Sequence, residues 1–262
     1  MTKVISFVAQ KGGSGKSTMT LLLANYYAYK EKKNVVVIDG DAPQYNIYKL
    51  RAGEKENPDT VADSVYKAHQ EVGIPPYNIF CAVADPAQEN KEKKIFSVTT
   101  LIDGLVAKGD IDYIFVDLAG TINTASFASI IKRVNYIFVP YMEAENLFNS
   151  NLEALYTIML IANKYKDHNI KGIYEFWHKY RSNMSATLFD SLAKRFPPFN
   201  EKIRTLNIKA DMMTNKIGYS TKAFNKELWN TLAAPPNTYL SLLPNGLNLG
   251  NFIREFNILI KD

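Results

Sequence analysis

The chain has 262 residues, 47% of them hydrophobic and 22% charged, an ordinary globular composition with length for one large α/β domain. No apolar run approaches the length needed to span a bilayer, and no signal-peptide layout precedes the first predicted strand. The single cysteine, Cys81, excludes an internal disulfide framework and fits a cytoplasmic location, and His69, His168 and His178 are scattered without metal-ligand spacing.

The first strand is predicted over 3–9, from the apolar run Val4-Ile5-Ser6-Phe7-Val8-Ala9. It runs directly into Gln10-Lys11-Gly12-Gly13-Ser14-Gly15-Lys16-Ser17-Thr18 and then into a helix-compatible stretch over 17–31, with Leu22, Leu23, Tyr26 and Tyr27 on one face. A strand, a glycine turn and a helix in that order aim several backbone N–H groups at one point, where an anion binds. Glycine lets the chain take positive φ and come close to that anion. Lys16 is a compact cation able to reach the outer phosphates of a nucleoside triphosphate, and Ser17 offers a hydroxyl to a Mg²⁺ shared with them. Thr18 adds a hydroxyl or an amide for the inner phosphate. The competing reading is a glycine turn flanked by surface lysines.

A second strand, 34–39, ends in Asp39-Gly40-Asp41, two acids one residue apart at a strand end, where open α/β sheets bind ligands. The charged stretch Gly53 to Asp59 reads as a loop, 60–71 as a helix and 77–84 as a strand holding Cys81 in the core. Ala84 to Lys94 reads as another loop, 95–108 as a helix and 112–117 as a strand ending in Asp117, with the small-residue turn Leu118-Ala119-Gly120 after it. A helix over 122–132 and strands over 135–140 and 171–177 follow, the last two separated by a helix over 144–165 whose Leu147, Leu152, Leu155, Ile158 and Met159 read as core. Alternating strands and helices predict a doubly wound, mostly parallel sheet with helices on both faces, over a single domain of 1–262. Beyond 177 the pattern weakens. Pro197-Pro198 and Pro235-Pro236 read as loops, and 247–262 as a helix packing back on the domain, with too few lysines for a membrane anchor. From Lys171 onward there are 13 basic and 7 acidic residues, a net of +6, which leaves −1 for the rest of the chain. Lys194, Arg195, Lys202, Arg204, Lys209, Lys216, Lys222 and Lys226 carry much of that excess, as a DNA-phosphate surface or as a plain solvated face.

Lys11-Gly12-Gly13-Ser14-Gly15-Lys16-Ser17-Thr18 resembles the deviant Walker A loop, K-G-G-x-G-K-[ST], of the ParA and MinD family of ATPases at every position. The resemblance implies ATP and Mg²⁺ as ligands and a homodimer formed on ATP, in which Lys11 reaches the phosphates of the partner chain. It gives Asp39 and Asp41 the roles of the family's D-x-D element, the first supporting the water shell of Mg²⁺ and the second positioning the attacking water. The chain departs from the family's D-x-D-P-Q by one inserted residue, in Asp41-Ala42-Pro43-Gln44. Asp117 would hold Mg²⁺ through water as a Walker B acid, and Gly120 would let the following loop move. The family often has an adenine-contacting asparagine after the sixth strand; here Trp177 and His178 stand near that place, to stack on a base or to pack against the last helices. The resemblance also implies non-specific DNA bound through the C-terminal third, about 171–262, and a ParB-like activating partner. A conjugation, secretion or membrane-associated complex is the other cargo, and a metabolic phosphate-transferring enzyme a third reading. One cysteine per chain cannot supply the bridging cluster of the related nitrogenase iron protein.

Overall fold

The computed structural model describes residues 1–10, 12–56, 73–120, 124–142, 145–178, 194, 196–218, 231–232 and 248–261. The strands are β1 (Lys3–Phe7), β2 (Val35–Gly40), β3 (Asn78–Val83), β4 (Phe96–Ser97), β5 (Tyr113–Leu118), β6 (Tyr136–Tyr141), β7 (Gly172–Trp177) and β8 (Lys209–Met212). They form one sheet in the order β4-β3-β2-β5-β1-β6-β7-β8, and each neighbouring pair is parallel. The chain steps outward from β1 on one side, returns to β5 and then steps outward on the other, so the strand order reverses beside β1, where such folds bind ligands.

Both faces of the sheet are covered, which is why its central strands are continuous apolar runs. One face is mostly aliphatic: Val36, Ile38, Ile114, Val116, Ile137 and Val139 pack against helices α3 (Val98–Lys108), α4 (Thr124–Ile131), α5 (Glu145–Lys164) and α6 (Phe196–Arg204). The other is largely aromatic: Phe7, Phe115, Phe138, Tyr174 and Phe176 pack against α1 (Lys16–Asn25), Ile47 of α2 (Asn46–Glu56) and α7 (Leu249–Leu259). Phe138 stacks on Phe256 at 4.5 Å between ring centres, and Phe176 meets Phe252 at 5.0 Å. The C-terminal helix therefore does pack back on the domain, and Lys3 Nζ donates to the Ile260 carbonyl at 2.7 Å.

Several local expectations change. Gly53 to Glu56 is the last turn of α2, not a loop; Glu54 within it and Arg51 just before it make long-range hydrogen bonds that the local charge pattern did not announce. Pro197 and Pro198 lie in the first turn of α6, where a missing N–H costs nothing. Phe96-Ser97 form a short strand before α3, and the Ser97 hydroxyl then caps that helix at Thr100 N. β8, an edge strand of only four residues, is an addition to the expected sheet. Helix α1 is buried from Met19 to Asn25, on every side and not on one face; it continues as a π turn, Tyr26–Lys30. Cys81 is half-buried on β3 and has no place in the innermost core. The predicted helix over 60–71 lies outside the described residues.

Candidate phosphate-binding site

β1, β5 and β2 are adjacent, and all three end at the same edge of the sheet. β1 delivers the glycine loop, β2 delivers Asp39 and Asp41, and β5 delivers Asp117. Registration puts Asp39 beside Asp117, and Asp117 beside Phe7 of β1. Three segments far apart in the sequence thus meet by parallel pairing alone.

The loop opens a cavity of about 610 Å³ lined by Gln10, Gly12 to Thr18, Asp41 to Gln44, Asn46 and Leu118 to Gly120. Gly15 is the left-handed cap of α1, at φ 91°. Gly120 has a different reason to be glycine: a Cβ there would sit 2.2 Å from the Gln10 carbonyl oxygen. The turn after β5 therefore packs directly on the entrance to the glycine loop. A second cleft, of about 520 Å³, lies at the opposite end of β2 and β3, with Lys32, Lys33 and Lys108 among its lining residues and no glycine loop.

Lys16 is 8% exposed, and burial lowers its pKa, with Asp117 and then Asp41 opposing that shift as its charged neighbours. Asp117 is buried, and burial pushes its carboxyl up to about 7; the Ser17 hydroxyl and the Lys16 charge pull it down, and Asp39 pushes it further up. Neither Asp117 oxygen makes a well-formed hydrogen bond among the described residues, although Ser17 stands within electrostatic reach, and the buried Ser14 hydroxyl is also without one. Buried polar groups in that condition fit a ligand. Mg²⁺ commonly takes one or two carboxylates and completes its shell with water and substrate phosphates. The donor set of Asp117 and Ser17 matches that habit, and no cluster of three or more candidate ligands stands among the described residues.

Asp39 has a structural occupation as well. Its Oδ2 accepts from Ile47 N and Tyr48 N, both at 3.0 Å, at the start of α2, and its Oδ1 accepts from Asp41 N at 3.3 Å. Burial raises its pKa, and those backbone donors counter it. The carboxylate thus holds the D-x-D turn and α2 together. The residue inserted after Asp41 is absorbed in a closed turn, with Tyr45 N donating to the Asp41 carbonyl at 2.8 Å and Tyr45 at φ 45°. Asp41 stays half-exposed and lines the cavity. Lys11 lies outside the described residues.

Trp177 and His178 are both buried and do not line the cavity. The His178 ring instead lies against the glycine loop, a contact that no local pattern foretells beyond the residue's position at a strand end.

Residues 5–202 match the CobQ/CobB/MinD/ParA nucleotide binding domain. The chain belongs to this family. No curated protein matches it. Among solved structures it is similar to a ParA family ATPase from Chlorobium tepidum TLS, at 15% identity and TM-score 0.55 over 99% of both chains. It is similar to a putative plasmid partition protein from Borrelia burgdorferi B31 bound to AMPPNP, at 14% identity and TM-score 0.55, covering 88% of this chain and 93% of that one. It also resembles the septum site-determining protein MinD complexed with Mg-ADP from Pyrococcus horikoshii OT3, at 18% identity and TM-score 0.51, covering 85% and 84%. At such identities the likeness establishes the fold, that of a ParA/MinD-type P-loop protein. No helix among the described residues is long and apolar enough to cross a membrane.

Proposed function

We propose that the chain is a ParA-like, Mg²⁺-dependent ATPase that dimerises on ATP, holds DNA without sequence preference and positions plasmid or other mobile DNA. The observation that carries the nucleotide part is the cavity rimmed by Gly12 to Thr18 and Asp41, with Lys16 buried in its wall and Asp117 buried next to Leu118, which lines it. Two of the solved structures with this fold hold AMPPNP and Mg-ADP.

The N–H groups of Gly12 to Thr18 would cradle the phosphates, and Lys16 would neutralise the outer two. Ser17 and Asp117 would hold Mg²⁺, with Asp39 supporting its water shell; the ion supplies charge neutralisation between the phosphates. Asp41, half-exposed at the cavity wall, would orient the attacking water. Lys11 from each chain would reach the partner's phosphates and stabilise charge as phosphoryl transfer proceeds. Lys11→Ala is therefore expected to leave ATP binding within about twofold and to abolish turnover, since an in-trans cation acts on the transition state. Unchanged turnover would remove Lys11 from the mechanism.

DNA would lie on the C-terminal third. Lys194, Lys202, Arg204 and Lys209 are exposed, the last three on α6 and β8 at one edge of the sheet; Arg195, Lys222 and Lys226 lie outside the described residues. A ParB-like partner would accelerate hydrolysis and release the DNA. The test is DNA binding without nucleotide, with ADP and with a non-hydrolysable ATP analogue, at two salt concentrations. Binding confined to the analogue and weakened by salt supports the whole cycle. Charge reversal at Lys194, Lys202, Arg204 and Lys209 should then flatten the log–log salt dependence by roughly 0.9 for each DNA phosphate that the protein no longer neutralises. Absence of binding in every state would sink the DNA role and move the cargo to a protein or membrane complex.

A further inference from the structure

His178 follows β7 directly and is 1% exposed. Its backbone N–H donates to the Tyr141 carbonyl at 2.8 Å, which fixes its Cα to the end of β6. Its ring meets Phe176 edge to face, at 6.3 Å and 63°. The remaining side of the ring lies under the glycine loop. Nδ1 stands 3.2 Å from the Ser14 carbonyl oxygen. An idealised Cβ on Gly15 would fall 2.2 Å from Cε1 and 2.4 Å from Nδ1, so the ring fills the space that any side chain at 15 would need.

A carbonyl oxygen only accepts, so this contact assigns the proton to Nδ1. The peptide joining Ser14 to Gly15 is planar and trans, so its N–H points opposite to its C=O. A bond that draws the Ser14 carbonyl toward β7 turns the Gly15 N–H away from β7. The cavity that Ser14 and Gly15 line is one His178 does not line.

The geometry points to His178 as the positioning residue of the phosphate loop: from beneath, its Nδ1–H sets the Ser14–Gly15 peptide so that the Gly15 N–H faces the phosphates. The inference rests on the nucleotide reading above and adds a residue from 164 positions away in sequence to that site. Its effect is preorganisation. The loop is held in its anion-binding form before nucleotide arrives, so binding does not have to order it. Gly15 is then glycine for two reasons, its positive φ and the ring beneath it.

Three variants test this on the full chain: His178→Ala, His178→Asn, whose amide nitrogen can take the place of Nδ1, and His178→Phe, which fills the space without a donor. Two readouts are taken, ATP affinity by calorimetry and amide hydrogen exchange across Gly13 to Lys16 without nucleotide. His178→Ala and His178→Phe are expected to bind ATP about tenfold more weakly, the scale of one hydrogen bond plus the ordering it spares. Both should exchange those amides faster. His178→Asn should stay within about threefold of the parent in affinity, on the order of half a typical hydrogen bond. If melting temperatures fall but folded variants keep parental affinity and exchange, His178 is a packing residue only and the proposal fails. If the parent itself binds no ATP, the nucleotide reading fails, and the exchange measurement still decides whether His178 sets the loop. Should His178→Ala not fold, the Asn and Phe variants, closer in volume, carry the comparison.

Discussion

Asp117 and Glu175 are two buried carboxylates that end up with opposite meanings. Each sits on a central strand, each is essentially inaccessible, and burial raises each: Asp117 to about 7 and Glu175 to about 8. The difference is in the neighbours. Asp117 has Lys16, Ser17, Asp39 and Asp41 around it, at the strand end where the glycine loop opens. Glu175 lies on β7, facing α6; burial raises it, its own backbone N–H and then Asn200 oppose that rise, and Asp211 and Arg204 have smaller effects. Neither Glu175 oxygen has a well-formed hydrogen bond among the described residues, although Asn200 stands close enough to pull its pKa down. A perturbed carboxyl therefore marks a candidate site when a glycine loop, a buried lysine and a cavity stand beside it, and core polarity when they do not.

Substitutions that separate the two environments sharpen that contrast. The largest effect is expected from Lys16→Ala, which takes the cation from the cavity and leaves Asp117 buried without it. ATP affinity measured by calorimetry should fall on the order of 100-fold, the scale of a charge-assisted hydrogen bond removed. Normal affinity would mean that the nucleotide sits elsewhere. Asp117→Asn should be milder. It should weaken the Mg²⁺-dependent part of ATP affinity by roughly tenfold or more, as removal of a group ordering the metal's shell does. Its apo stability should be kept or raised, since a neutral amide replaces a buried carboxyl. Equal ATP affinity with and without Mg²⁺ in the parent chain would break the assignment.

Glu175→Gln should show the smallest effect on function, with ATP affinity changed by less than about twofold, as expected of a group outside the binding contacts. Its signature is in stability. The folded pKa, about 8, lies above the ordinary value of 4.5. Between those two values the folded chain keeps a proton that the unfolded chain has released. Stability from this group is thus fully present below about 4.5 and is lost as pH rises to about 8, by up to about 1.4 kcal/mol per pH unit. Denaturant titrations of the parent and Glu175→Gln at pH 5 and pH 8 should converge at the lower pH and separate at the higher one, with the variant more stable. Parallel stabilities at both values would show that Glu175 is ionised and satisfied in the fold.

The six strands expected from apolar runs are all present, with ends shifted by a residue or two, because a buried parallel strand must be apolar along its whole length. β8 was illegible for the converse reason. Lys209-Ala210-Asp211-Met212 is an edge strand that buries Ala210 alone, so it lacks a continuous apolar run. Likewise α2 has an unremarkable polar sequence, and what holds it is remote. Asp39 binds its first turn, Arg51 donates to the Thr231 and Tyr77 carbonyls, and Glu54 accepts from Thr231 N. The glycine loop, Asp41 and Asp117 were legible because each follows or ends its strand, and a strand end is a local pattern. His178 offered only its place after a strand.

By itself, then, the sequence determined the alternation of strands and helices and the chemistry available at three strand ends, since hydrophobic periodicity and glycine turns act over a few residues. Only the tertiary structure decided which ends would be neighbours and what each buried polar group would face. Parallel pairing brought Asp117 beside Phe7 and Asp39. It also put Glu175 against α6 and the His178 ring under Ser14. The physical reason is that a buried charge or carbonyl takes its character from whatever surrounds it in space, and in a doubly wound sheet those groups come from distant parts of the chain.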